Sequence, residues 1–281
     1  MSSIPGPTPG SAPRPGPAAG LLIPYPRSST AVLLAEAAAR RGLPVLERVR
    51  GGVRDLHWYG GPLAADRVAA PAGIALLEPS DTWLAALPYE LTHRRIESTT
   101  LGEARALRRP AFVKPPSDKS LPAAVYADGS RLPPPDAVAR ITDDAAVLVS
   151  EVVEFAAEYR CFVRDGRVVT GGRYAVRGLL DPGPLASGAR AFAERVVAWC
   201  AGAGPRLPGA VVLDVGPLTG GRWAVVEANM AWYAHCYTAD PERVLDVVLA
   251  ATGPHHAVAP ADRPFLRSLR PGQPPSAPPR L

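Results

Sequence analysis

Between Ala111 and Ala228 the sequence offers seven short runs of strand length: Ala111–Lys114, Ala123–Ala127, Ala146–Val153, Glu158–Arg164, Arg167–Ala175, Val211–Val215 and Trp223–Ala228. Among them stands one helical stretch, Ala189–Ala201, with Phe192, Val196 and Trp199 on one side. Strands with a few segregated helices predict an α+β fold. Ahead of them lies a different pattern. Leu21–Ile23 begins a strand, Ser28–Thr30 offers helix caps, Ala31–Arg41 is a strong helix former stopped by Gly42, and Val45–Val49 reads as a second strand. That is a βαβ unit, most simply with parallel strands. A short helix capped by Pro79–Asp81 and ending at Leu87 follows, and beyond Pro88 a charged connection containing Arg94 and Arg95 marks a boundary. Asp240 and Pro241 open a last helix, which ends near Gly253.

The two ends differ from the middle. Residues 1–20 and 256–281 are rich in proline, and neither end can bury enough apolar surface to fold, so both are expected as disordered tails. They carry most of the net charge of +5, leaving about +1 on the 281-residue chain's folded part, so no basic nucleic-acid face is required. Cys161, Cys200 and Cys236 form no CxxC spacing, which suggests neither a disulfide framework nor a zinc ribbon and fits a reducing cytoplasm. No leader pattern and no apolar run long enough to span a bilayer is evident, so no membrane partner is expected.

Two residue types are almost absent. Of 31 basic residues only Lys114 and Lys119 are lysines, and they share one stretch; Asn229 is the sole asparagine. Lys114 ends a short apolar strand and Lys119 follows in a loop, where a compact ammonium can meet phosphate oxygens.

Asn229 sits beside the second feature. Val211–Val215 and Trp223–Glu227 flank a turn-rich loop, and folding about Gly220–Gly221 sets Asp214 opposite Glu227. Alternation along a strand puts Glu227 and Asn229 on one face. Two like charges across a hairpin destabilise it unless a cation lies between them, and Mg2+ takes such oxygen ligands, with Asn229 completing the set. The alternative is a solvent-facing polar edge.

Residues 146–158 run from an apolar strand into a segment with acids at Glu151, Glu154 and Glu158. Such a junction exposes backbone N–H and C=O groups able to bind an adenine edge, and a carboxylate beyond it can accept from ribose hydroxyls. Glu158 and Arg160 share a strand face, the arginine able to fork onto phosphate or carboxylate or simply to pair within the sheet.

This order of lysine strand, acidic hinge, Glu-x-Arg strand, then Asp and Glu-x-Asn resembles the ATP-grasp superfamily. Glu158–Val163, Asp165–Val168, Gly172–Tyr174 and Val226–Tyr233 resemble its R-two-K clade in particular. The resemblance implies an α/β pre-ATP-grasp domain at residues 21–93 and a two-part ATP-grasp module at 94–255, with a lid at about 110–152. It implies ATP and Mg2+, with Lys114 and Lys119 on the phosphates, Glu151 and the backbone of Val153 and Glu154 at the adenine, Glu158 at the ribose, and Asp214, Glu227 and Asn229 at the metal. Arg160 and Arg173 are assigned to the transferring phosphate or the acceptor carboxylate. Many ATP-grasp proteins carry a second phosphate lysine before the lid, whereas here the nearest basic residues are Arg94 and Arg95, and in place of a glycine-rich lid loop the sequence reads Pro115–Lys119. The implied activity is a carboxylate–amine ligase acting on an amino acid, a peptide or another small molecule; the alternative is a non-ligating ATP-binding module that recognises a partner or peptide. His235, Trp232 and Tyr233 either line an acceptor pocket or pack. Oligomeric state is not legible.

Overall fold

Among the described residues, sheets of three, four, five and two strands are packed with three helices of more than ten residues. The computed structural model describes residues 19–268 apart from 26–27, 50–52, 54, 70, 118–120 and 137–140. Lys119 and the residues of the expected tails at 1–18 and 269–281 lie outside the described residues.

The N-terminal unit is the expected parallel βαβ arrangement. Strands β1 (Ala19–Leu22), β2 (Val45–Leu46) and β3 (Asp55–Trp58) lie in the order β2-β1-β3, all parallel, with Leu21 opposite both Val45 and His57. Helix α1 (Ser29–Arg40) crosses between β1 and β2; the Ser28 hydroxyl caps it by accepting from the Ala31 N–H at 3.2 Å. Gly42, at a φ of 67°, turns the chain out of the helix in the left-handed region that glycine tolerates. After α2 (Pro62–Val68) comes β4 (Ile74–Leu76), then α3 (Tyr89–Thr92).

The second sheet has four antiparallel strands in the order β5-β8-β6-β7: β5 (Ile96–Thr100), β6 (Ala111–Lys114), β7 (Ala124–Tyr126) and β8 (Ala146–Ser150). With α4 (Leu101–Ala104) it encloses its own small core, including Leu101, Val113, Leu132, Val147 and Val149. The third sheet has five antiparallel strands in the order β11-β10-β9-β12-β13: β9 (Ala157–Arg164), β10 (Arg167–Val176), β11 (Leu179–Pro184), β12 (Ala210–Pro217) and β13 (Trp223–Asn229). Helix α5 (Ser187–Gly202) covers one face, packing Phe192 and Val196 on Cys161, Val163, Val211 and Leu213.

Helix α6 (Pro241–Ala251) covers part of the other face and closes the molecule. Its Val244, Leu245, Val247 and Val248 are fully buried in one core with Leu21, Leu34 and Trp58 of the N-terminal unit and Phe162 and Val212 of the five-stranded sheet. Strand β14 (Thr252–Pro254) then pairs antiparallel with β4. The N-terminal unit therefore draws part of its core from the end of the chain.

Part of the tail expected from residue 256 onward, residues 256–268, is described and packed against the rest of the chain. Residues up to Ser268 are described, and Arg267 forks onto Asp66 at 2.7 and 3.1 Å, reaches Glu78 at 2.7 Å and covers the Trp232 ring. Its own N–H donates to the Leu76 carbonyl. Composition suggested no foldable surface here, but the segment is held by the arginine and its two acids together with a Leu77–Leu266 bridge, the Glu78 N–H donating to the Phe265 carbonyl and the Gly209 N–H donating to Asp262. Among the described residues no helix is long and apolar enough to cross a membrane.

Candidate active site

Strand alternation decides which side chains meet. On β9, Glu158, Arg160 and Phe162 face one way, and Tyr159, Cys161 and Val163 face α5. Arg160 stands opposite Asp214 on β12, and Asp214 stands opposite Glu227 on β13, the register that the hairpin reading anticipated. The turn closes with the Gly221 N–H donating to the Leu218 carbonyl at 2.7 Å, Gly221 at a φ of 82°. Asn229 pairs with Val212, two positions along the same face. Half of that face is apolar and buried under α6; the remainder carries Glu158, Arg160, Asp214, Glu227 and Asn229.

The charges on it are interleaved. Arg160 forks onto the fully buried Asp214, Nε to Oδ1 at 3.0 Å and Nη2 to Oδ2 at 2.7 Å. Lys114, at the end of β6 on the four-stranded sheet, is ion-paired with Glu227. Asn229 Nδ2 donates to both carboxylates, at 3.2 Å to Asp214 and 2.7 Å to Glu227. Burial holds the Asp214 carboxyl above the usual range even with Arg160 beside it. At Glu227 burial acts in the same upward direction, but Lys114, the Asn229 amide and Arg160 together outweigh it and bring the carboxyl down to about 2. Lys114 and Glu227 share a cleft with Asp81, Trp83 and Leu148.

The family model described as ATP-grasp domain, R-two-K clade family 2, matches residues 91–247, more than half of the chain. The chain belongs to that family. No curated protein matches it in sequence. Among solved structures it is similar to D-cycloserine synthetase DcsG, at 14% identity and a TM-score of 0.49, covering 82% of this chain and 98% of that one. It is also similar to a RimK domain ATP-grasp protein from Sphaerobacter thermophilus, at 18% identity and a TM-score of 0.46, covering 82% and 99%. D-alanine–D-alanine ligase from Bacillus anthracis matches at 11% identity and a TM-score of 0.45, covering 83% and 96%.

An ATP-grasp domain of the R-two-K clade implies ATP and Mg2+, and the side chains present fit both in kind. The convergent groups are two carboxylates and an amide, all able to offer oxygen once the Asn229 amide turns over, which suits Mg2+. Among the described residues no group of three or more His, Cys, Asp and Glu is arranged so that it could hold a metal ion by itself. The positive charges of Lys114 and Arg160 balance the two carboxylates.

Other residues assigned from sequence divide into those at the site and those elsewhere. Arg173 stands opposite Tyr159, on the α5 side of the sheet, and is bound to Asp181 through its carbonyl at 3.1 Å and its carboxylate at 3.2 Å. It does not join Arg160, because adjacent ladder positions face opposite ways. Glu151 is taken up as a clamp: its Oε2 accepts from the Arg95 N–H at 2.9 Å and its own N–H donates to the Arg95 carbonyl at 3.0 Å. The Glu154 carbonyl accepts from Thr219. Among the described residues no protein group pairs with the backbone N–H and C=O of Val152 and Val153 or with the Glu154 N–H.

Arg94 is spent on structure. It is 6% exposed, its guanidinium donates to the Val225, Val226 and Thr92 carbonyls and lies over Phe155, and burial lowers it to about 10. Trp232 is packing, fully buried with its Nε1 donating to the Leu77 carbonyl. His235 lies at the rim, its backbone carbonyl near Arg160 and its ring facing Thr30 and Tyr237. Two residues at the site escaped the sequence reading, Tyr174 and Tyr237. Their rings stack on each other at 5.3 Å, and the Arg160 guanidinium lies 5.3 and 5.4 Å from their centroids.

Proposed function

We propose that this chain is an ATP- and Mg2+-dependent carboxylate–amine ligase, activating a carboxylate as an acylphosphate for attack by an amine on an amino acid, a peptide or another small molecule. One observation carries the reading: two carboxylates face each other across a hairpin, each held by a cation, and one of those cations comes from a second sheet.

The roles follow from position. Val153 offers its backbone to the adenine and Glu158 a carboxylate to the ribose. Lys114 and Arg160 exchange their carboxylate partners for phosphate oxygens. Asp214, Glu227 and Asn229 would hold Mg2+, which when bound would supply charge neutralisation to the phosphates. The acceptor carboxylate oxygen attacks the terminal phosphorus and the bond to ADP breaks; the amine nitrogen then attacks the acyl carbon, and phosphate leaves. Positioning and fixed positive charge account for most of such catalysis, and an arginine buried against two rings needs little reorganisation to provide it. The division into residues 21–93 and 94–255 is retained as the functional one, the four-stranded sheet acting as lid.

The test is incubation with Mg2+ and ATP against a library of amino acids and short peptides, following ADP release and product mass. Turnover that disappears when Asp214 and Glu227 are both replaced by Ala supports the ligase. Thermal stabilisation by Mg2+ and ATP without turnover on any acid–amine pair would favour a non-ligating ATP-binding module instead.

A further inference from the structure

Tyr174 touches both ends of the proposed nucleotide site. Its hydroxyl donates to Glu158 Oε2 at 2.6 Å, and its ring lies under the Arg160 guanidinium. Among the described residues nothing else hydrogen-bonds to the Glu158 carboxylate, so the other oxygen is open. The backbone supports this placement. Strand β10 carries a bulge between Arg173 and Ala175, whose ladder partners are the adjacent Tyr159 and Glu158, so Tyr174 is the inserted residue. Bulges re-aim a side chain without ending the strand. Tyr237, stacked on Tyr174, sits at a φ of 48°, a left-handed conformation that a non-glycine residue holds only where its surroundings demand it.

We propose that Tyr174 is a positioning residue that sets the ribose side of the site and its phosphate side in register, its hydroxyl fixing Glu158 and its ring fixing Arg160. The idea rests on the nucleotide roles given above. Glu158 unaided is a three-carbon side chain beside two further carboxylates, free to rotate away from a sugar. With Oε2 held, Oε1 is the oxygen presented to a ribose hydroxyl. Arg160 is confined from two sides, by the Asp214 fork and by the pair of rings, so its charge is pre-aimed where phosphate exchanges for carboxylate.

Two substitutions separate the two contacts. Tyr174→Phe removes the hydroxyl and keeps the ring; Tyr174→Leu removes both. Affinities for ATP, 3′-deoxy-ATP and ADP, each with Mg2+, are measured by calorimetry on the full chain. Tyr174→Phe is expected to reduce the preference for ATP over 3′-deoxy-ATP by about tenfold, the scale of one hydrogen bond to a charged group, with the preference for ATP over ADP unchanged. Tyr174→Leu is expected to reduce both preferences. In a Glu158→Gln background, Tyr174→Phe is expected to change neither, because the hydroxyl acts through Glu158. A Tyr174→Phe protein that keeps the ribose preference, or that weakens all three nucleotides equally, overturns the proposal, and this variant decides the matter even if Tyr174→Leu fails to fold. Wild-type protein that binds none of the three overturns the nucleotide reading itself, an outcome distinct from binding that ignores Tyr174.

Discussion

The Lys114 ammonium is ion-paired with the Glu227 carboxylate, across the gap between the four-stranded and five-stranded sheets. The same lysine is proposed for phosphate and the same glutamate for metal, so while the two are paired each occupies the other's binding capacity. Mg2+ alone must compete with an ammonium, whereas Mg2+ arriving with a triphosphate brings the anion that draws the ammonium away. Removing the lysine charge should thus act with opposite sign on the two ligands. Lys114→Gln is expected to raise affinity for Mn2+ alone by about tenfold, and to lower affinity for ATP with Mg2+ by a similar factor. Calorimetry with each ligand checks this, and a fall in both would contradict the exchange.

Asp214 is fully buried, and Arg160 is the cation that accompanies it. Arg160→Met leaves that carboxylate without its fork and should destabilise the protein by about 3–5 kcal/mol in urea unfolding. Adding Asp214→Asn to the same chain removes the uncompensated charge and should recover part of the loss. Equal stability of the single and double variants would mean that the pair is not the source of the cost.

How far the sequence could reach is visible in these same residues. Folding the hairpin about its glycine pair made Asp214 opposite Glu227 legible, but in the ladder that pair also depends on a one-residue register shift between Asp214 and Val215, which leaves Val226 as the extra residue. Arg173 was not, because its face depends on a partner, Tyr159, on another strand, and no residue near Arg173 encodes that register. Glu151 was read as a nucleotide residue from its place after an apolar strand, yet the Arg95 backbone that claims it becomes adjacent only when β5 and β8 pair. Tyr174 depends on a bulge, and a bulge leaves no mark in the alternation of a strand already rich in glycine. Local patterns carried the site's charged pair; its aromatic wall comes from pairing.

The C-terminal segment offers a stability test. Arg267, Asp66 and Glu78 are mostly buried together, with Trp232 beneath the guanidinium and Asn229, the end of β13, just before that tryptophan. Arg267→Ala leaves two partly buried acids unpaired and should cost about 3 kcal/mol in urea unfolding. A double change with Asp66→Asn and Glu78→Gln should cost less than the arginine change alone. If instead Arg267→Ala unfolds at the wild-type midpoint, the segment contributes nothing to holding the N-terminal unit.

His57 gives the pH dependence. It lies on β3, its Nδ1 2.7 Å from the Thr252 carbonyl, and burial lowers it below its ordinary 6.5 despite the Thr252 and Leu249 carbonyls and the charge of Asp55. A histidine lowered in the folded state binds its proton more readily when unfolded. Its contribution to stability is therefore complete above pH 6.5, the unfolded value, and is lost as pH falls through the lower folded value. The thermal midpoint of the wild type should drop between about pH 7.5 and pH 5.5, and His57→Asn, which keeps an N–H for Thr252 but cannot titrate, should drop less over that window. Parallel slopes for the two proteins would place the pH response elsewhere than at the junction of β3 and β14.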